Sequence, residues 1–246
     1  MDGPDLEGRV VLVTGSARGL GRELVLAAAE RGASVAVHYH TSAEAAGEVV
    51  DVAAERGAPA TTAVQGDVTD PESVEGIFST VEDELGAVDS LVNNVGDFAP
   101  VHWSELDVET WRRVFDTNLT ATYLCSRRAL PAMREATFGR IVNVGYASAE
   151  LGMVSPKNFP YFAAKAGVLM FTRMLAADTS ADGITVNAVS PYVIENSAEF
   201  PDELPRDRPA SFADVIRPAL FFLDAESMYV SGANVEVDGG WLPETV

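Results

Sequence analysis

Residues 9–21 read RVVLVTGSARGLG: an unbroken apolar run, a threonine, and a turn carrying three glycines before a helical pattern opens. A strand without alternation of apolar and polar residues is buried on both faces, the condition of a parallel sheet covered by helices. Gly15, Gly19 and Gly21 let the backbone turn sharply. With Ser16 and Leu20 among them, they bring helix-opening amides to a place where a phosphate can sit. Working outward, ASVAVHYH (33–40) and ATTAVQGD (60–67) read as further strands, separated by the helical patterns at 20–32 and 42–57. AVDSLVNN, GRIVNVG, GITVNAV and NVEVDGG continue the strands, and 106–134, 158–179 and 211–224 read as helices. The predicted fold is α/β, a doubly wound parallel sheet with helices on both faces.

No linker-like stretch, internal repeat or low-complexity segment divides the 246 residues, so one domain is expected. A formal net charge of −20 argues against nucleic acid, which needs clustered Lys and Arg; the scattered acids predict a solvated surface. Cys125 is the single cysteine, so no disulfide forms within the chain, and its apolar surroundings predict a buried thiol. MDGPDLEG at the start lacks the apolar core of a leader, and no run is long enough to cross a membrane. A cytoplasmic location without a membrane partner is expected.

In a doubly wound sheet, ligands bind beyond the carboxyl ends of the strands. After AVHYH no acid stands ready for a ribose hydroxyl. His40, Thr41 and Ser42 offer donors instead, and Arg18 in the glycine turn can face the same point. A carboxylate there would repel a 2′-phosphate and a guanidinium grips one, so NADP(H) is the expected coenzyme.

The TGxxxGxG turn at 14–21, GDV at 66–68, NNVG at 93–96, Asn118 in DTNL, YxxxK at 161–165, VNAVSP at 186–191 and VDGG at 237–240 follow one another along nearly the whole chain. In this order and spacing they resemble the short-chain dehydrogenase/reductase family, and HYHTSAEAA resembles the NADPH-binding segment of its pteridine reductases. The resemblance implies a Rossmann-like domain with a coenzyme-binding half over about 1–150 and a catalytic, substrate-binding half over about 151–246. It implies that Asp67 and Val68 hold the adenine, that Asn94, Val95 and Gly96 line the coenzyme groove, and that Pro191, Val193 and Ile194 frame the nicotinamide. It also implies a homodimer or homotetramer paired through the helices at 106–134 and 158–179.

Lys165 has only Lys157 for company among 17 basic residues, and it stands one helical turn beyond Tyr161. A free phenol is a poor base at neutral pH; a nearby ammonium favours the phenolate and can also reach ribose hydroxyls. In the family, an asparagine matching Asn118 anchors a proton relay to this lysine. The expected chemistry is hydride transfer between the nicotinamide and the carbonyl, or an imine, of a small molecule, with Tyr161 as general acid and base. The family's usual serine is absent: counting forward from the fifth strand reaches Tyr146, counting back from Tyr161 reaches Ser148, and either can donate to the substrate oxygen. Pteridine reductases carry an aspartate there, which weakens the transfer of their substrate. Tyr192 stands where the family has glycine. Asp97, Phe98, Trp103, Tyr146, Met153, Phe159, Tyr192 and Glu195 are the expected pocket walls. A coenzyme-binding sensor without turnover and a dehydratase or epimerase are the alternatives.

Overall fold

The computed structural model describes residues 4–151, 155–197 and 199–241. In chain order its elements are β1 (Val10–Val13), α1 (Gly19–Ala29), β2 (Ser34–Tyr39), α2 (Ala43–Glu55), β3 (Thr61–Gln65), α3 (Pro71–Leu85), β4 (Ser90–Asn93), α4 (Val108–Phe115), α5 (Ala121–Ala136), β5 (Gly139–Val144), α6 (Phe159–Asp178), β6 (Ile184–Pro191), α7 (Phe212–Leu223) and β7 (Asn234–Val237). All seven strands run parallel in one sheet of order β3-β2-β1-β4-β5-β6-β7. Every strand expected from the apolar runs is present.

Burial follows position in the sheet. β1, β4 and β6 are buried throughout, whereas the edge strand β3 exposes part of one face and the edge strand β7 has no fully buried residue. Because successive strand residues point to opposite faces, Val11 and Val13 join α1, α2 and α7 in one core, while Val10 and Leu12 join α3 and α5 in the other. Cys125 is buried in this second core, and burial pushes its thiol up to about 12, so it behaves as a small apolar side chain. Polar caps set the starts of α3 and α7: Asp70 accepts from the Ser73 N–H ahead of α3, and Ser211 and Asp214 cap each other's backbone at α7.

Two features were not legible in the chain. Between α4 and α5 the helix widens into a single π-helical turn, Asp116–Thr120. In β5, Arg140 is 2% exposed and lies over the Phe138 ring. Its guanidinium donates to the carbonyls of Gly139, Gly183, Asp224 and Ala225 at 2.8–3.3 Å, tying the sheet's lower rim to the end of α7. No helix among the described residues is long and apolar enough to cross a membrane.

β1 and β4 are neighbours although their connections leave in opposite directions, so a crevice opens above their carboxyl ends.

Candidate active site

A cleft of about 450 Å³ occupies that crevice. Gly15, Arg18, Gly19, Leu20 and Gly21 line one side, Asn94, Val95 and Gly96 the floor, and Phe98, Asn118, Tyr146, Tyr161, Lys165, Pro191, Tyr192 and Ile194 the remainder. The asparagine after β4 holds the first two walls together: its Nδ2 donates to the Thr14 carbonyl at 2.9 Å, and the Thr14 hydroxyl accepts from the amides of Asn94 and Val95. Gly21 has to be glycine, since a Cβ there would lie 2.5 Å from the Gly15 oxygen and 2.7 Å from Asn94 Nδ2. The Arg18 guanidinium meets the Ser42 hydroxyl, so the turn and the end of β2 form one polar corner, with His40 and Thr41 beside it.

Ser16 differs from expectation. It is fully buried; its hydroxyl donates to the Val13 carbonyl and accepts from the His38 N–H, and its own N–H goes to the His38 carbonyl. It shapes the turn and has no group left for a ligand. Asp67 and Val68 lie beyond the end of β3, outside the lining of the cleft; the Asp67 carboxylate takes both the N–H and the hydroxyl of Thr69.

Across the cleft, α6 presents Tyr161 and Lys165 one turn apart, as the YxxxK spacing requires. Lys165 is buried, and its Nζ donates at 2.6 Å to the carbonyl of Val144, the last residue of β5, while standing 5.7 Å from the centre of the Tyr161 ring. Burial lowers its ammonium to about 8, so it remains mostly charged at neutral pH. The same burial raises the Tyr161 phenol above its ordinary value. The expectation that Lys165 brings this phenol down is therefore corrected: with Nζ directed to the Val144 carbonyl, burial sets the direction.

Asn118 sits in the π-helical turn. Its Nδ2 donates to the carbonyls of Asp97 and Val114, both at 2.9 Å, while its buried Oδ1 has no partner among the described residues. That oxygen and Lys165 Nζ converge on Gly96, where a Cβ would be 2.4 Å from the first and 3.4 Å from the second.

Tyr146 lines the cleft and Ser148 does not. Ser148 is buried in a left-handed conformation, with φ 60°, and its N–H is held by Glu236 of β7, which turns the residue away. Tyr146 instead packs edge-on to Tyr161, with ring centres 5.5 Å apart. Phe98 flanks Tyr161 at 5.2 Å, and Tyr192 approaches Tyr146 at 6.2 Å while stacking on Trp241 at 3.8 Å. One aromatic wall thus runs from Phe98 to Trp241. Burial raises the Tyr146 phenol, with smaller contributions from Tyr161 and Tyr192.

Several expected pocket residues lie elsewhere. Trp103 and Phe159 are at least half exposed, and Phe159 stacks on Trp111. Asp97 is paired with Arg113. Glu195 accepts from the Phe212 N–H at the start of α7. Val193 lines a second cavity, of about 400 Å³, which shares only Tyr192 with the cleft. Met153 lies outside the described residues. Conversely, Asn196 and Ser197 line the cleft, with Asn196 closing over Gly19, and neither was an expected site residue; His38, the first residue of HYHTSAEAA, holds the turn from below.

The donor set suits a dinucleotide: helix-opening amides at α1, a guanidinium at the β2 corner, and a buried ammonium beside an unpartnered amide oxygen. Residues 15–242 match the family model described as enoyl-(acyl carrier protein) reductase. The chain is 34% identical over 246 residues to the 3-oxoacyl-[acyl-carrier-protein] reductase FabG of Vibrio harveyi, covering 96% of this chain and 98% of that protein. It is 31% identical to FabG of Escherichia coli with the same coverage. A solved short-chain type dehydrogenase/reductase from Mycobacterium marinum superposes with a TM-score of 0.88 at 30% identity, over 96% of both chains. The ordered motifs, the sheet and these likenesses agree: the chain belongs to the short-chain dehydrogenase/reductase family of oxidoreductases.

Proposed function

We propose that the protein is an NADP(H)-dependent reductase of a carbonyl group in a small organic substrate, with Tyr161 as proton donor. The observation that carries this reading is the buried Lys165, pinned to Val144 and facing the cleft beside Tyr161. The coenzyme supplies the hydride. The helix-opening amides at Gly19–Gly21 take its diphosphate, and Arg18 with Ser42 takes the 2′-phosphate. Lys165, positively charged, holds ribose hydroxyls and stabilises the negative charge left on Tyr161 as its proton passes to the substrate oxygen.

Burial keeps Tyr161 protonated at neutral pH, the form a proton donor must have, and the Lys165 ammonium beside it eases the loss of that proton to the substrate oxygen. Tyr146, in the wall beside Tyr161, supplies the second hydrogen bond for which the family uses serine, and an imine substrate is not required to explain the serine's absence. Phe98, Tyr146 and Tyr192 favour a planar, largely apolar substrate. The relatives' names contain a 3-oxoacyl-[acyl-carrier-protein]; including an acyl thioester in the substrate panel tests whether this chain accepts such a substrate. Exposed Trp111, Tyr123, Phe159, Met170 and Met174 on α4, α5 and α6 support pairing of these helices in a homo-oligomer.

The test follows NADPH absorbance with a panel of ketones, quinones, imines and acyl thioesters, alongside NADPH titration. Tyr161→Phe should bind NADPH as the wild type does and lose turnover by about 10²-fold or more. Undiminished turnover in that variant overturns the assignment.

A further inference from the structure

The residue that organises the coenzyme side of the cleft does not itself line it. His38, in β2, is 2% exposed. Its Nδ1 accepts the Gly15 N–H at 2.9 Å, and its Nε2 lies 3.2 Å from the Gly66 carbonyl at the end of β3. An imidazole nitrogen that accepts one bond and a second that meets a carbonyl define a single neutral tautomer, with the proton on Nε2. The main chain of His38 completes the grip, exchanging bonds with the amide and hydroxyl of Ser16. One residue therefore fastens the first two positions of the glycine turn to the ends of two neighbouring strands.

We infer that His38 is a positioning residue for the coenzyme: by holding Gly15 and Ser16 against the end of β3, it fixes the path of the turn that presents the α1 amides to the diphosphate. This rests on the coenzyme reading above. The Gly15 N–H is consumed by His38, so the phosphate-binding work falls to the amides that follow Arg18, and their placement depends on where Gly15 is held. Gly15 itself sits at φ +66°, a conformation with no side chain to stiffen it, and Val95 closes over it from the other side. An apolar residue at 38 would leave a part-buried N–H and a part-buried carbonyl without these partners, and the turn would move to find others.

The charged and titratable groups around the imidazole are few. His40 follows it on the same strand, Asp67 faces it from the end of β3, and the Arg18 guanidinium of the turn is directed to Ser42 instead. Burial holds the imidazole at about 4, which keeps Nδ1 an acceptor across the neutral range. A proton added there would set two donors against each other at Gly15.

The experiment titrates NADPH into wild-type protein and into His38→Leu, His38→Asn and His38→Gln by intrinsic fluorescence, with circular dichroism as the fold check. His38→Leu should raise the Kd for NADPH about tenfold or more, with kcat at saturating NADPH within about threefold of wild type. His38→Asn, whose Oδ1 falls near the place of Nδ1, should recover most of the affinity, and His38→Gln, reaching only towards Gly66, should not. Wild-type affinity in a folded His38→Leu overturns the role, even if its melting temperature falls, because a purely structural residue would show that pattern. If His38→Leu does not fold, the Asn and Gln pair decides: equal affinities, or Gln tighter than Asn, overturn the proposal. Wild-type protein that fails to bind NADPH overturns the coenzyme reading itself, a separate result.

Discussion

Replacing Gly96 by alanine probes the convergence of Asn118 and Lys165 without touching either residue. The added Cβ would lie 2.4 Å from Asn118 Oδ1, 3.2 Å from its Cγ and 3.4 Å from Lys165 Nζ. Restoring an ordinary contact of about 3.4 Å needs roughly 1 Å of movement. The Asn118 carboxamide cannot swing away freely, because both of its N–H groups are committed to the carbonyls of Asp97 and Val114 at 2.9 Å. The displacement is therefore shared with the Lys165 ammonium and with the backbone after β4. A misplacement of about 1 Å at a reacting centre costs about 10²-fold in rate. Gly96→Ala should then lose about 10²-fold in kcat at saturating NADPH, measured by NADPH absorbance on the best substrate of the panel. Its φ is outside the left-handed range, so the fold should persist. Gly76→Ala, where a Cβ meets nothing within 4 Å, is the control and should leave kcat unchanged. A Gly96→Ala enzyme with kcat within about threefold of wild type would refute the idea that the placement of Asn118 and Lys165 sets the rate.

Other outcomes follow from the same geometry. Tyr146→Phe should lower kcat about 10²-fold while Ser148→Ala leaves it near wild type; the reverse ranking would return the donor role to the serine. His38, at about 4 in the fold against 6.5 when unfolded, takes up its proton first in the unfolded chain, so its stabilising effect is complete above 6.5 and declines as pH falls towards 4. At pH about 5 the loss is about 2 kcal/mol, read as the difference in urea unfolding between wild type and His38→Asn; parallel pH profiles would exclude it. Arg140→Lys keeps a charge but replaces a fork serving four carbonyls by a single point, and should cost about 2 kcal/mol in urea unfolding; a change under about 0.5 kcal/mol would show that the carbonyls find other partners.

What was legible in the sequence lay along one strand or one helix. The run Val10–Val13 names a strand buried on both faces, and Tyr161 with Lys165 names a helical face, because each pattern is complete within a few residues. What was not legible depends on partners distant in the chain. Ser16 reads as a phosphate ligand until β2 is seen to consume its hydroxyl and amide. Tyr146 and Ser148 read as equals until Glu236, 88 residues on, holds the serine's amide. Trp103 and Phe159 are aromatic and near the site in sequence, yet their helices and loops turn them outward. The phenol's acidity failed for another reason: residue spacing reports which groups are near each other, not how much water surrounds them.

The π-helical turn at Asp116–Thr120 sets the phase between α4 and α5. Each residue in a helix rotates the next by about 100°, so removing one residue anywhere in this turn would restore regular winding and aim Asn118 away from Gly96, or else rotate α5 and its buried Cys125 out of the core. Point changes on the exposed side of these helices are tolerable in number, but the count of residues is not: this stretch of the chain behaves as a fixed-length gauge, in which a one-residue indel is a larger insult than many substitutions.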